Sequence, residues 1–302
     1  MPLGELRALL ARHAREDGTT PIDGVLIGRA EQAFQSSTSM SGMVLALVAQ
    51  GAKTLALGDR VYEYRAGQYL VASVDLPVTG YYTEASPERP ALGFGLVLKP
   101  SAIAQLLLDA PPGDLPRAPG GGTPSAMAVS DAPPELVDAA VRMLRLLDRP
   151  RDIPVLAPLI AREILWRLIT GEQGATVRQL GLADSSLAHV ARAVRWIRDN
   201  YRESFRVQDV ARMSGMSVSA FYRNFQAVTA MSPIQFQKQF RLQQARLLLA
   251  TQPGDVTAVS HQVGYDSPSQ FSREYRRQFG APPSQDAARL RDSAQSPELS
   301  MP

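Results

Sequence analysis

Val207-Gln-Asp-Val210-Ala-Arg-Met-Ser-Gly215, Phe221-Tyr-Arg223-Asn-Phe225 and Ser232-Pro233 recur as Val256-Thr-Ala-Val259-Ser-His-Gln-Val-Gly264, Phe271-Ser-Arg273-Glu-Tyr275 and Pro282-Pro283. The first three matches, Val207 to Val256, Val210 to Val259 and Gly215 to Gly264, share an offset of 49. One inserted residue then moves the offset to 50 for Phe221 to Phe271, Arg223 to Arg273 and Phe225 to Tyr275. A pattern kept in apolar positions, a turn glycine and one arginine marks a repeated supersecondary unit.

Each copy reads as helix, tight turn, helix. Val207, Val210, Ala211 and Ser214 share one helical face. Gly215 closes that helix, because glycine adopts a left-handed turn at least cost. Ser217 is an N-cap candidate for a second helix that buries Phe221 and Phe225, four residues apart. Ser219, Ala220, Tyr222 and Arg223 then fall largely on its outer side. In the second copy Ser267 caps, Phe271 and Tyr275 face in, and Ser269, Gln270 and Arg273 face out. A second helix so placed enters a DNA major groove. There arginine pairs with guanine and glutamine with adenine, each through two hydrogen bonds.

The spacing of the copies strengthens this reading. Ser232-Pro233 starts a helix expected over residues 233–252, which stops at Pro253-Gly254. Roughly 20 helical residues span about 30 Å, close to the about 34 Å of one DNA turn. One rigid spacer therefore sets two recognition helices, in the units 207–229 and 256–279, one helical turn apart.

These residues resemble AraC-type (AraC/XylS) transcription regulators. The resemblance rests on Gly215 to Phe221, Met231-Ser-Pro233, Arg241-Leu-Gln-Gln-Ala-Arg246, Val263 to Tyr275 and Phe279-Gly280. It implies that Ser219, Ala220, Tyr222, Arg223, Ser269, Gln270 and Arg273 read bases, with Arg276 and Arg277 nearer the phosphates. Two departures stand out. Ala230 occupies a position where glycine is common, and Asp286-Ala287 replaces an aromatic-arginine pair, so the last helix is expected to dock differently. Upstream, Gln50-Gly-Ala-Lys53, Gly67-Gln-Tyr69 and Ser73 to Gly80 are similar to the cupin-like N-terminal domain of these regulators. The implied partners are double-stranded promoter DNA, a small-molecule effector, RNA polymerase and a second copy of the chain.

The expected fold is α+β and multidomain. A cupin-like β-barrel with appended helices fills residues 1–183, and an all-α tandem helix-turn-helix domain fills 184–302. Turn signals at Gly51, Gly58-Asp59 and Ala66-Gly67 divide short strands between about Thr20 and Leu98. Ser36 to Ser39 reads as a loop, residues 110–125 as a low-complexity loop, and Gly171 to Ser186 as the interdomain linker. Helices near Pro134 to Leu147 and Val155 to Thr170 carry apolar stripes that suit packing on the barrel or dimerisation. The C-terminal module is expected to fold alone, with no core residue supplied by the barrel.

Charge follows this division. Residues 184–302 hold 15 basic and 10 acidic residues, against 32 and 29 in the whole chain of net charge +3. The excess positive charge lies on the proposed DNA module. Cysteine is absent, which excludes disulfides and thiolate chemistry. The three histidines, His13, His189 and His261, fall outside the expected strands, so no metal site, catalytic residue or cofactor is expected. A ligand-binding protein or enzyme of the cupin type is the alternative, and the doubled motif favours the regulator. Tyr62, Tyr64, Tyr69, Tyr81 and Tyr82 are candidates to line an effector pocket, and for any single one a place in the core or on an edge strand is the favoured reading. No long apolar run or signal sequence is present, which fits a cytoplasmic protein.

Overall fold

The computed structural model describes residues 2–34, 37–110, 115, 125–182, 185–251 and 255–295. Helix α1 (Pro2–His13) precedes strands β1 (Val25–Ala30), β2 (Ser37–Ser41), β3 (Val44–Gln50), β4 (Ala52–Leu57), β5 (Arg60–Arg65), β6 (Gln68–Ala72), β7 (Leu76–Tyr82) and β8 (Ala91–Val97). Helix α2 (Pro100–Asp109) and strand β9 (Met127–Asp131) follow. The strands form two antiparallel sheets, ordered β1-β8-β3-β6-β9 and β2-β7-β4-β5.

Alternation along the strands assigns the faces of the larger sheet. Val25, Ile27, Leu45, Leu47, Phe94 and Leu96 are buried on one face, against an apolar layer that includes Leu6 and Leu10 of α1. The other face carries Leu26, Gly28, Ala46, Gly93 and Gly95, and it looks toward the smaller sheet.

Helices α3 (Pro134–Arg145) and α4 (Ile153–Thr170) lie where the apolar stripes place them. Two segments differ from the sequence reading. Ser37 to Ser39 of the expected loop belong to strand β2, paired with β7, and Ser36 lies outside the described residues; backbone pairing at the sheet edge needs no apolar alternation. The expected linker holds helix α5 (Gly174–Gly181), which buries Val177 and Leu180. It docks on α2 so closely that a Cβ on Gly181 would lie 2.8 Å from the Ala104 nitrogen. Residues 111–114 and 116–124 of the expected low-complexity loop lie outside the described residues.

Among the described residues seven further helices follow: α6 (Ser186–Asp199), α7 (Val207–Met213), α8 (Val218–Thr229), α9 (Pro233–Thr251), α10 (Val256–Gln262), α11 (Pro268–Phe279) and α12 (Pro283–Gln295). The apolar packing divides unexpectedly. One continuous cluster runs from the sheets through α6 and α7 into Phe221 and Phe225 of α8 and Phe236 of α9. The second repeat has a separate cluster with Leu242 and Leu249 of α9 and Ala287 of α12. The first repeat thus shares its core with the barrel, contrary to the expectation of a self-sufficient module. Further links cross the boundary. The Ala126 amide donates to the Val228 carbonyl at 3.2 Å, Arg60 donates to the Ala227 carbonyl at 3.2 Å, and Arg198 pairs with Asp75.

Helix α8 ends on Ala230, whose φ of 58° is left-handed. A side chain in that region costs roughly 1–2 kcal/mol, which is why glycine suits the position. Ala230→Gly is expected to stabilise the protein by about 0.5–1 kcal/mol, net of the glycine's greater unfolded entropy. Urea denaturation with an unchanged or lower midpoint would contradict this.

The final helix docks through Asp286. Its carboxylate is buried, with side-chain exposure of 8%, and it accepts from Arg246 Nε at 2.8 Å. It also accepts from the Tyr275 hydroxyl at 2.8 Å, so α9, α11 and α12 meet on one group. Burial and the bond to Asp286 push the Tyr275 phenol well above its ordinary pKa, and it stays protonated as the donor. Asp286→Ala leaves Arg246 and Tyr275 without their acceptor and is expected to cost about 2–4 kcal/mol. Thermal melting of this variant within a degree of the parent would show that the clasp contributes nothing.

Candidate nucleic-acid interface

The two recognition helices are built alike. The Ser217 hydroxyl accepts from the Ala220 amide at 3.3 Å, and the Ser267 hydroxyl accepts from the Gln270 amide at 3.3 Å. These are the expected N-caps, and each satisfies a first-turn donor. Phe221, Phe225, Phe271 and Tyr275 are fully buried, which fixes the rotation of both helices about their axes. Ser219, Tyr222 and Arg223 are exposed and Ala220 is half-buried on α8. Ser269, Gln270, Arg273, Arg276 and Arg277 are exposed on α11. The structure therefore brings the expected base readers together on outward faces of two helices.

Helix α9 connects them. Its 19 residues span about 28 Å at 1.5 Å per residue. Residues 252–254, at the end of the expected spacer, lie outside the described residues. Arg241, midway along α9, gathers carbonyls from both sides. It donates to Tyr201 at 2.6 Å and Gly264 at 2.7 Å, and it reaches Arg202 at 3.0 Å. Gly264 is the turn of the second repeat, with φ of 89°. A Cβ there would meet the Arg202 carbonyl oxygen at 2.2 Å, so only glycine fits.

Sequence reasoning missed Arg241 and also Glu274. Glu274 accepts from Lys238 of α9 at 2.9 Å and from Gln270 Nε2 at 3.1 Å. The Tyr265 hydroxyl donates to its other oxygen at 2.8 Å. Burial raises the Glu274 pKa, but hydrogen bonds from Lys238, Gln270 and Tyr265 outweigh it and hold the carboxyl below its ordinary value. Glu274 thereby fixes the side chain of Gln270, one of the expected readers. The four-residue spacing on one helix was the available signal; the cross-helix lysine left none.

Comparison with known proteins agrees with this architecture. The profile of the AraC-type transcriptional regulator N-terminus matches residues 21–176. The chain belongs to the AraC-type transcriptional regulators. A helix-turn-helix domain profile matches residues 210–289. The virulence regulon transcriptional activator VirF of Yersinia enterocolitica is 28% identical over 168 residues, 54% of this chain and 60% of the relative. The regulator ExsA of Pseudomonas aeruginosa is 28% identical over 161 residues, 53% of this chain and 57% of the relative. The chain thus spans about three fifths of the length of these curated relatives. The crystal structure of ToxT from Vibrio cholerae O395 shares the fold. Its TM-score is 0.53 at 9% identity, covering 88% of this chain and 97% of ToxT.

Tyrosines expected near a ligand divide by face. Tyr62, Tyr64 and Tyr82 lie on the face of the smaller sheet that looks inward. Tyr69 is buried on the face of the larger sheet that packs against the helices. Tyr81 stacks on Phe34, with ring centroids 5.9 Å apart. No group of three or more His, Cys, Asp or Glu side chains is placed to hold a metal among the described residues. No helix there is long and apolar enough to cross a membrane.

Proposed function

We propose that the chain is a sequence-specific transcription regulator, controlled by a small molecule held in its N-terminal domain. The observation that carries this reading is the pair of capped, outward-facing helices on one rigid spacer. On this reading Ser219, Ala220, Tyr222 and Arg223 face one major groove, and Ser269, Gln270 and Arg273 face the next. Arg276 and Arg277 lie near phosphates. The protein acts in the cytoplasm, engages RNA polymerase at the promoter and performs no catalysis. Exposed cations on α11 favour phosphate contact, and exposed arginine and glutamine suit base edges.

A gel-shift titration with duplexes selected from a random library by the full chain tests this. A single enriched sequence, bound far more tightly than its scrambled form, is expected. Absence of enrichment would remove the reading. On the selected duplex, Arg273→Ala is expected to cost about 1–3 kcal/mol and to relax preference at one base pair. Arg276→Ala should instead flatten the dependence of affinity on salt, with preference unchanged. An Arg273 variant with parental affinity and preference would reassign that residue.

A second copy is the proposed partner at α4. Val155 and Leu159 there are 67% and 60% exposed, and Leu156 is also exposed. An apolar ridge of this kind suits an isologous contact. Leu159→Glu is expected to shift sedimentation from dimer to monomer while thermal stability stays within about 1 kcal/mol, as for other surface changes. A monomeric parent protein at micromolar concentration would remove this proposal.

A further inference from the structure

A cavity of about 520 Å3 lies outside the barrel, on the side of the larger sheet that packs against helices. Helices α2 and α4 wall it, and the end of β8 and the Pro21 to Asp23 segment close one side. Its base is formed by Ile22, Leu96, Leu106, Met143 and Leu165, all at most 5% exposed. The sequence accounts for the gap above that base. Helix α4 lines it with Pro154, Ala157, Pro158 and Ala161, and α2 lines it with Ala102. Side chains of this size do not reach across to the facing helix. An ion pair of 2.7 Å between Arg162 of α4 and Asp109 of α2 ties the two walls together.

The chemistry of the lining selects the kind of guest. Its base is apolar throughout. The charged groups of the lining are Asp23, Lys99 and Arg162, and each already has a partner. Lys99 Nζ lies 2.6 Å from Asp23, and Arg162 is held by Asp109. Gln105 Nε2 donates to Asp109 at 3.1 Å. An ionic guest would give up its hydration and find no free counter-charge. A neutral apolar guest removes apolar wall from water and breaks no existing pair.

Size separates a small molecule from a docked peptide. A helix with its side chains is about 10 Å across, so a single turn fills roughly 420 Å3. A space of about 520 Å3 holds little more than that one turn. It falls instead within the range of about 300–1,000 Å3 that suits small-molecule sites.

We propose that the space between α2 and α4 binds a neutral, apolar small molecule of two or three rings, seated on Leu96, Leu106 and Met143 between Ala102 and Ala161. The site lies on the helix side of the larger sheet, not between the two sheets. It deepens the ligand-controlled reading and rests on it for its biological meaning, though not for the binding itself. A guest that binds only the folded chain stabilises it, so occupancy appears as linkage between ligand and fold.

The test uses the full chain and two fluorescent probes of one skeleton, neutral phenylnaphthylamine and the charged anilinonaphthalene sulfonate. The neutral probe is expected to brighten with one equivalent bound, to raise the melting temperature and to bind roughly tenfold more tightly than the sulfonate. Two variants shrink the space from opposite walls, Ala161→Trp on α4 and Ala102→Leu on α2. Each is expected to weaken binding of the neutral probe by roughly tenfold or more. Melting without probe gives an independent readout. Ala102→Leu should melt no lower than the parent, because its added atoms enter open space; a site already packed would be overfilled and melt lower. If Ala161→Trp fails to fold, Ala102→Leu alone decides. Lower melting of Ala102→Leu, equal binding of the two probes, or no binding of the neutral one would overturn the proposal. So would binding indifferent to residue 102, which would place the probe elsewhere, as in the cavity of about 740 Å3 between α1, α3 and α4. A gel shift without added probe reports on DNA recognition separately, so failure of one reading is distinguishable from failure of the other.

Discussion

Burial of Phe221, Phe225 and Phe236 in the same apolar mass as the sheets is the constraint on which the rest of the chain depends. Each such ring contributes roughly 1.5–3 kcal/mol by leaving water. The three meet edge to face, Phe221 with Phe225 at 5.3 Å and Phe225 with Phe236 at 5.8 Å between centroids. That packing fixes the orientation of α8 and the starting direction of α9. The direction of α9 then sets where the second repeat lies. A surface that looks like a domain boundary in sequence is therefore a packed interior in three dimensions.

The two repeats are consequently unequal. The first is gripped by the barrel through the shared core and through bonds to the last carbonyls of α8, which have no partner within the helix. The second meets the rest through α9 and through the turn after α6, where Gly264 lies against Arg202 and Arg241 takes over the carbonyls of Tyr201, Arg202 and Gly264. The barrel therefore contacts α8 directly, and the second repeat meets it through α9 and the segment after α6. Energetic coupling of this kind needs an element with two arrangements. The junction of α8 with Gly58 and Arg60 is a direct contact between a barrel turn and the helix end. A Cβ on Gly58 would meet the Ala230 carbonyl oxygen at 2.8 Å, so the turn and the helix end are already in tight register.

The helix-turn-helix half was legible in the sequence because its signals are local. Caps, turn glycines and aromatic spacing within one helix were enough to place Ser219 and Arg223, and Ser269 and Arg273, on outer faces. What stayed hidden was non-local. Helix α5 was hidden because Gly174-Ala-Thr-Val-Arg-Gln-Leu-Gly181 is short and flanked by glycine, and its stability comes from docking on α2. Strand β2 has no apolar alternation, so only its partner β7 reveals it. Arg241 and Asp286 act across helices far apart in sequence. The Ala230 departure from glycine was visible, and its consequence, a left-handed alanine, needed the backbone angle.

The N-terminal unit shows how composition misleads when it is read by residue type alone. Histidine is absent from the strands, and that absence argued against a cupin metal site. It said nothing of anions. The inner face of the smaller sheet alternates Lys53 and Leu55 on β4 with Tyr62 and Tyr64 on β5, a pattern that in sequence is indistinguishable from a solvated edge. Closure of the second sheet over that face changes its meaning. The same lysine that would be an unremarkable surface charge becomes a part-buried cation with its ammonium 5.0 Å from the centre of the Tyr82 ring.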